Sequence, residues 1–369
     1  MRILLAPNAF KGTIGPLAAA RALGAAAAKA GHLPALMPIS DGGDGLTEAL
    51  AFGLGGRRRT RLVKNALGRG VRASYLLLAG GKAVIEMAQA SGLAALGGEK
   101  NKPMSASSCG TGELIRAALD DGARSIIVGL GGSACNDAGT GMAAALGVKF
   151  YDASGRELAP GTGPLRRLAK IDFSGLDPRI AKIRITAFTD VRNPLLGPLG
   201  SARVYGPQKG ATSAQVAEME KALVRLCAVL GKQGLEPMGR KPGGAAAGGV
   251  AAGLAVFLGA ELKCGAGEVL ELLGAEQRVS RADLVVTGEG RLDEQTAFGK
   301  APAALAALCR RMRKPLMFVC AQNRLSASKA GALGIGGVVS FEDLGATEAQ
   351  SRACPEKWLK KSLPSLLSA

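Results

Sequence analysis

The sequence predicts an α/β protein of two domains, in which both chain ends complete one domain around an inserted middle. Three observations carry this reading. Short apolar runs alternate with alanine-rich helical stretches near both ends of the chain, the pattern of parallel strands covered by helices. At 369 residues the chain exceeds what one compact core usually holds. Hydrophobic residues make up 47% of it but aromatic ones only 4%, so Ala, Val, Leu and Ile must build the core. Such a core favours helices packed closely on a parallel sheet.

The opening RILLAP reads as a buried strand, and Lys11, Gly12 and Thr13 lead to a helix from Pro16 to about Ala30. Proline suits the first turn of a helix. A second strand, Ala35 to Ile39, ends in SDGGDG, so this loop and APNAFKG would share one rim of a parallel sheet. From Leu62 the apolar runs shorten, as in ASYLLLAG and AVIEMAQ, which places a domain change near residue 65. The expected domains are then 1–65 with 265–369, and 66–264 inserted. Within the insert, Gly112 to Gly122 reads as a helix, Ser125 to Gly129 as a strand and Gly139 to Leu146 as a helix. Residues 151–182 look irregular. A strand at Ile183 to Phe188 leads into TDVRNPLLGPLG, and VYGPQKGA precedes a helix at Ser213 to Leu230. Near the end, Ala282 to Thr287 is a strand ending in GEGRLDEQTAFGK; a helix from Ala301 to Arg313 and strands at Pro315 to Cys320 and Gly334 to Ser340 follow.

The formal charge of +18 suits small anionic substrates. It also permits nucleic-acid binding, but Arg57 to Arg59, Arg61, Arg166, Arg167, Arg310, Arg311 and Arg313 form no aromatic-interleaved block, which argues against that class. Seven cysteines without a CxxC pair fit a reducing cytoplasm better than a disulfide framework or a zinc site. The first apolar run breaks at Pro7 and Lys11, too soon for a signal peptide, and the uncharged Pro242 to Ala260 is too weakly hydrophobic for a membrane span. The residues leave open whether the chain is a monomer or a homo-oligomer.

The candidate chemistry begins in VGLGGSACNDAGTGM, where a strand ends in glycines before a helix. Backbone N–H groups and a helix N-terminus then surround one point, a general way to hold phosphate. Gly129, Gly131 and Gly132 let the backbone approach, Ser133 and Asn136 offer hydrogen bonds, and Asp137 could face a metal. The loop lacks the lysine and spacing of a Walker A motif. In SDGGDG, Asp41 and Asp44 could hold Mg²⁺ or act as a base, and the same residues also describe an ordinary Asp-Gly turn. Asp190 directly follows an apolar strand with Asn193 three residues on, a catalytic position or an Asx turn. Lys209 is either a point charge for phosphate or a solvated loop lysine. Glu289, Arg291, Asp293 and Lys300 crowd after a buried strand beside Gly288, Gly290 and Gly299, which favours a backbone that must approach something closely. His32 is the only histidine and reads as a helix-end residue. Any general base is therefore a carboxylate or a lysine, which argues against Ser-His-Asp hydrolysis.

Taken in order, six blocks resemble the bacterial glycerate kinase type 1 family: APNAFKG (Ala6 to Gly12), DGGDG (Asp41 to Gly45), CGTGELI (Cys109 to Ile115), GLGGSACNDAGTGM (Gly129 to Met142), TDVRNPLLGPLGSARVYGPQKGA (Thr189 to Ala211) and ADLVVTGEGRLDEQTAFGKAP (Ala282 to Pro302). The resemblance runs nearly the full length. It implies a Rossmann-like domain with an inserted second α/β domain, and phosphorylation of D-glycerate by ATP with Mg²⁺, typically to 2-phosphoglycerate. It suggests Asp41 or Asp190 as base, Asp44, Asp137 or Asp293 near Mg²⁺, and Lys11, Lys209 and Arg291 as neutralising charges. Gly129 to Ser133, with Asn136, Asn193, Glu289 and Lys300, would face the nucleotide. Three departures stand out: Asn8 and Ala9 replace the family's usual Asp and Ser, Asp44 replaces a glutamate, and FVCAQNRLS (Phe318 to Ser326) lacks the expected glycines.

Overall fold

A computed structural model describes residues 1–235, 238–297 and 300–367. Gly299, singled out above, lies outside the described residues. The chain is mixed α/β and divides into two compact units, Met1–Gly55 with the stretch from Cys264 onward, and Gly56–Lys263.

The first unit opens with strand β1 (Arg2–Pro7), whose residues from Ile3 on are all buried. Helix Pro16–Lys29 follows, its alanines letting it lie close to the sheet. Strand β2 is Leu33–Leu36, slightly earlier than expected, because Leu33 to Leu36 pair with Arg2 to Leu5. Met37 and Ile39 continue the ladder by donating to the carbonyls of Leu5 and Pro7.

The chain then enters the second unit with β3 (Arg57–Lys64) and β4 (Gly70–Leu78), an antiparallel pair in register along its whole length. That pairing is why the crossing falls at Gly55 and not near residue 65. β3 is an edge strand, and its arginines discourage further strand addition. Strands β5 (Lys82–Glu86) and β6 (Ser125–Gly129) come next, joined through helix Cys109–Asp120. The stretch expected to be irregular contains part of an antiparallel ribbon, β7 (Lys149–Asp152) with β8 (Leu168–Asp172). Strand β9 (Arg184–Phe188), helix Ser213–Lys232 and strand β10 (Glu261–Lys263) complete the unit. Its main sheet runs β10-β9-β6-β5-β4-β3, parallel from β10 to β5.

The chain returns to the first unit with β11 (Leu284–Leu292), β12 (Leu316–Asn323) and β13 (Gly337–Ser340). The GEGRL segment, expected as loop, is strand, because its backbone pairs with β12 as far as Leu292 opposite Asn323. The sheet order is β13-β12-β11-β1-β2, all parallel. From β1 the chain first steps to one side and later to the other. That reversal opens a crevice at the carboxyl ends of β1 and β11, where ligands bind in open α/β sheets. Helix Pro355–Leu367 packs on helix Pro16–Lys29 and buries Trp358, Leu359 and Leu363 in this unit's core.

Candidate active site

The crevice of the first unit gathers the acidic residues. Asn8 directly follows β1 and is tied to β11 by its N–H, which donates to the Gly288 carbonyl at 2.8 Å. Asp41 lies just beyond the β2 ladder. Its Oδ1 accepts from the Gly43 N–H at 3.2 Å, and its Oδ2 from the Asn8 side-chain amide at 3.5 Å. Asp44 is half-buried in the same turn.

Glu289 sits within β11, only 4% exposed. Thr296 donates its hydroxyl to Oε1 at 2.7 Å, and the Lys300 ammonium stands 3.3 Å from Oε2. Burial pushes the Glu289 carboxyl above its ordinary range; Lys300 and Thr296 oppose this, and the negative charge of Asp41 adds to the rise. The glycine before Glu289 has a packing cause, since a Cβ at Gly288 would strike the Val319 carbonyl of β12. Asp293 accepts at Oδ1 from the Thr296 N–H at 3.3 Å, so it shapes the turn that presents Thr296 to Glu289. Arg291 donates from Nε to Gln322 at 3.0 Å. Beside these groups is a cavity of about 290 Å³, walled by Phe10, Lys11, Glu289, Arg291, Lys300 and Arg352 among others. Phe10 stacks on Phe341 at 5.7 Å, which pins the loop after β1 to the turn after β13.

The glycine loop belongs to the second unit, and its geometry bears on Asp137 and Lys209. Asp137 is fully buried, and its carboxylate accepts four hydrogen bonds: from Ser108 N at 2.7 Å, Ser108 Oγ at 2.9 Å, Gly139 N at 3.2 Å and Gly141 N at 3.1 Å. The start of helix Thr140–Ala145 is thus filled by the chain's own carboxylate, and Asp137 anchors its loop. Lys209 is no solvated loop lysine. It is 3% exposed, and its Nζ donates to the Cys135 carbonyl at 2.7 Å and to Asn136 Oδ1 at 3.4 Å. Burial pushes its pKa down to about 8.

Strand β6 delivers Gly129 to the carboxyl edge. Gly131 is half-buried, Gly132 exposed with φ +64°, and Ser133 buried against Gly92. Asp190 follows the neighbouring β9 and is half-buried. Asn193 has both ends of its amide engaged, Nδ2 to the Leu199 carbonyl at 2.9 Å and Oδ1 with the Tyr205 hydroxyl at 3.2 Å, so it braces its loop.

The structure therefore brings Lys11, Asp41, Glu289, Arg291 and Lys300 to the carboxyl edge of one sheet, and the glycine loop with Asn136, Lys209 and Asp190 to the carboxyl edge of the other. Ser108, Thr296 and Arg352 were not foreseen. Thr296 carried a signal, as a hydroxyl three residues after Asp293; Arg352 carried none, since a Glu-to-Arg pair four apart on a helix is the ordinary look of a solvated face. Among the described residues no three His, Cys, Asp or Glu side chains gather as a metal group. The donor chemistry still fits Mg²⁺, which takes one or two carboxylates and fills the rest with water and phosphate oxygens. Asp41 and Glu289 are two such donors, near enough for the charge of one to raise the pKa of the other.

Buried acids beside lysines at the carboxyl edge of a parallel sheet mark an α/β enzyme built for anionic reactants. The profile of the glycerate kinase family matches residues 3–368. Glycerate kinase of Halalkalibacterium halodurans is 41% identical over 92% of this chain and 88% of its own length, and glycerate 2-kinase of Escherichia coli 42% identical over 86% and 84%. A crystal structure assigned as glycerate kinase 2 from Salmonella typhimurium superposes with a TM-score of 0.84 at 37% identity, covering 100% of this chain and 98% of that one. The chain belongs to the glycerate kinase family, and it is a kinase. No helix among the described residues is long and apolar enough to cross a membrane.

Proposed function

We propose that the protein transfers the γ-phosphoryl group of ATP to the 2-hydroxyl of D-glycerate, giving 2-phosphoglycerate and ADP, in the cytoplasm. The observation that carries this is the buried acid pair Asp41 and Glu289 beside Lys300 at the carboxyl edge of the first unit's sheet. The choice of the 2-hydroxyl leans on the similarity to the E. coli relative named glycerate 2-kinase.

Asp41 is the base: it takes the proton as the hydroxyl oxygen forms its bond to the γ-phosphorus and the bond to ADP breaks. The Asn8 amide and the Gly43 N–H hold its carboxylate in place. Lys300 and Lys11 offset charge on the phosphoryl oxygens, and such electrostatic stabilisation with positioning carries most of phosphoryl transfer. Glu289 would hold Mg²⁺, which when bound supplies positive charge to the phosphate oxygens. In the second unit, the turn at Gly131 and the exposed Gly132 is the part of the glycine loop open to a phosphate.

The test is turnover by the purified chain with ATP, Mg²⁺ and D-glycerate, with the product identified by phosphorus NMR. A 2-phosphoglycerate signal supports the reading; a 3-phosphoglycerate signal corrects the position; no glycerate-dependent ADP sinks it. Asp41→Asn is expected to lower kcat by about 10²–10⁴-fold in a folded protein, and near-normal turnover removes Asp41 from the chemistry.

A further inference from the structure

The cavity of the first unit contains a cation that belongs to none of the motif blocks. Arg352 comes from helix Glu348–Ala353. Its Nε and Nη2 both donate to one oxygen, Oε1 of Glu348, at 3.1 and 3.0 Å. This fixes the guanidinium plane and directs Nη1 over the turn after β1, where a methyl group at Gly12 would lie 3.9 Å from it. Gly12 has φ +73°, and its neighbour Lys11 makes no ion pair among the described residues.

Arg291 contributes to the same cavity wall, held through Nε by Gln322 at 3.0 Å. The carboxylates that line the cavity are already matched: Glu289 with Lys300 at 3.3 Å, Glu342 with Arg324 at 2.7 Å and Glu348 with Arg352 at 3.0 Å. Lys11 and Arg291 remain as an excess of positive charge. The stacked Phe10 and Phe341 tie two walls of the cavity together.

We propose that this cavity binds the oxyanion end of a reactant, a carboxylate or a phosphate, with Arg352, Lys11 and Arg291 as its contacts. With Nε and one Nη2 hydrogen held by Glu348, the remaining N–H groups of Nη1 and Nη2 are left to meet the oxygens of either group. The proposal rests on the kinase reading above, in which both reactants carry such an end.

Steady-state kinetics of Arg352→Ala and Arg352→Lys, with D-glycerate and ATP varied separately, test it. The Arg352 side chain is 62% exposed, so the variants are expected to fold. Arg352→Ala is expected to raise one KM about tenfold or more, with Arg352→Lys recovering part of the loss. A rise confined to glycerate identifies a carboxylate site; a rise confined to ATP identifies a phosphate site. Both KM values within twofold of wild type would overturn the proposal. Calorimetric titration of wild type and Arg352→Ala with D-glycerate and with ADP needs no turnover and separates the two ideas. Arg352-dependent binding in a chain without kinase activity sinks the function and keeps the site, whereas turnover with Arg352-independent binding does the reverse.

Discussion

Lys209 donates from Nζ to the carbonyl oxygen of Cys135 across 2.7 Å, inside the second unit. The ammonium is buried, and its pKa falls from 10.5 to about 8. Between those values the unfolded chain binds more protons than the folded one, so this lysine's contribution to stability rises with pH across the window and is lost as pH falls through about 8. Lys209→Met is expected to remove that dependence. The unfolding free energy of wild type minus that of Lys209→Met should then climb by on the order of a few kcal/mol from pH 8 to 10.5, measured by urea melts. Parallel curves would show that Lys209 keeps an ordinary pKa.

Asp137 offers a second test, because four protein donors already converge on its carboxylate. Asp137→Asn turns one acceptor into a donor among N–H groups, and a loss of about 3 kcal/mol or more is expected. The loss should appear in thermal melts with and without Mg²⁺. A variant as stable as wild type without the metal would show that the carboxylate is not there to anchor the loop.

Asn8 supports Asp41 through a neutral amide at 3.5 Å. Asn8→Asp would set a third carboxylate beside Asp41 and Glu289, and neighbouring like charges raise the pKa of each. The acid limb of the kcat/KM profile is expected to move up by about one pH unit. An unmoved limb would mean that the ionisation it reports is not in this cluster.

The parts of the fold legible in sequence were those set by local pattern. Ser125 to Gly129 has the same bounds in sequence and in structure, because an apolar run closed by glycine leaves little choice. In sequence β11 ends at Thr287, since a GEGRL stretch looks like loop until β12 lies beside it to accept its ladder. β3 is hidden for a similar reason: an arginine-rich edge strand has no apolar signature, and only its pairing with β4 ties it to the second unit. In the site, Asp41 and Glu289 were picked out by spacing and glycines. Burial of Lys209 and the saturation of Asp137 were not, because both depend on partners such as Cys135 and Ser108 that no local rule brings near.

The placement of β1 also dictates an order of events during synthesis. In the finished sheet β1 lies between β2 and β11, so its second neighbour is not made until the ribosome passes residue 284. Until then one side of an apolar strand has no hydrogen-bonding partner, while every strand of the second unit has already been translated. The inserted unit can therefore fold first, and the nascent first unit has to keep an open strand edge out of intermolecular pairing for most of the time the chain takes to be made.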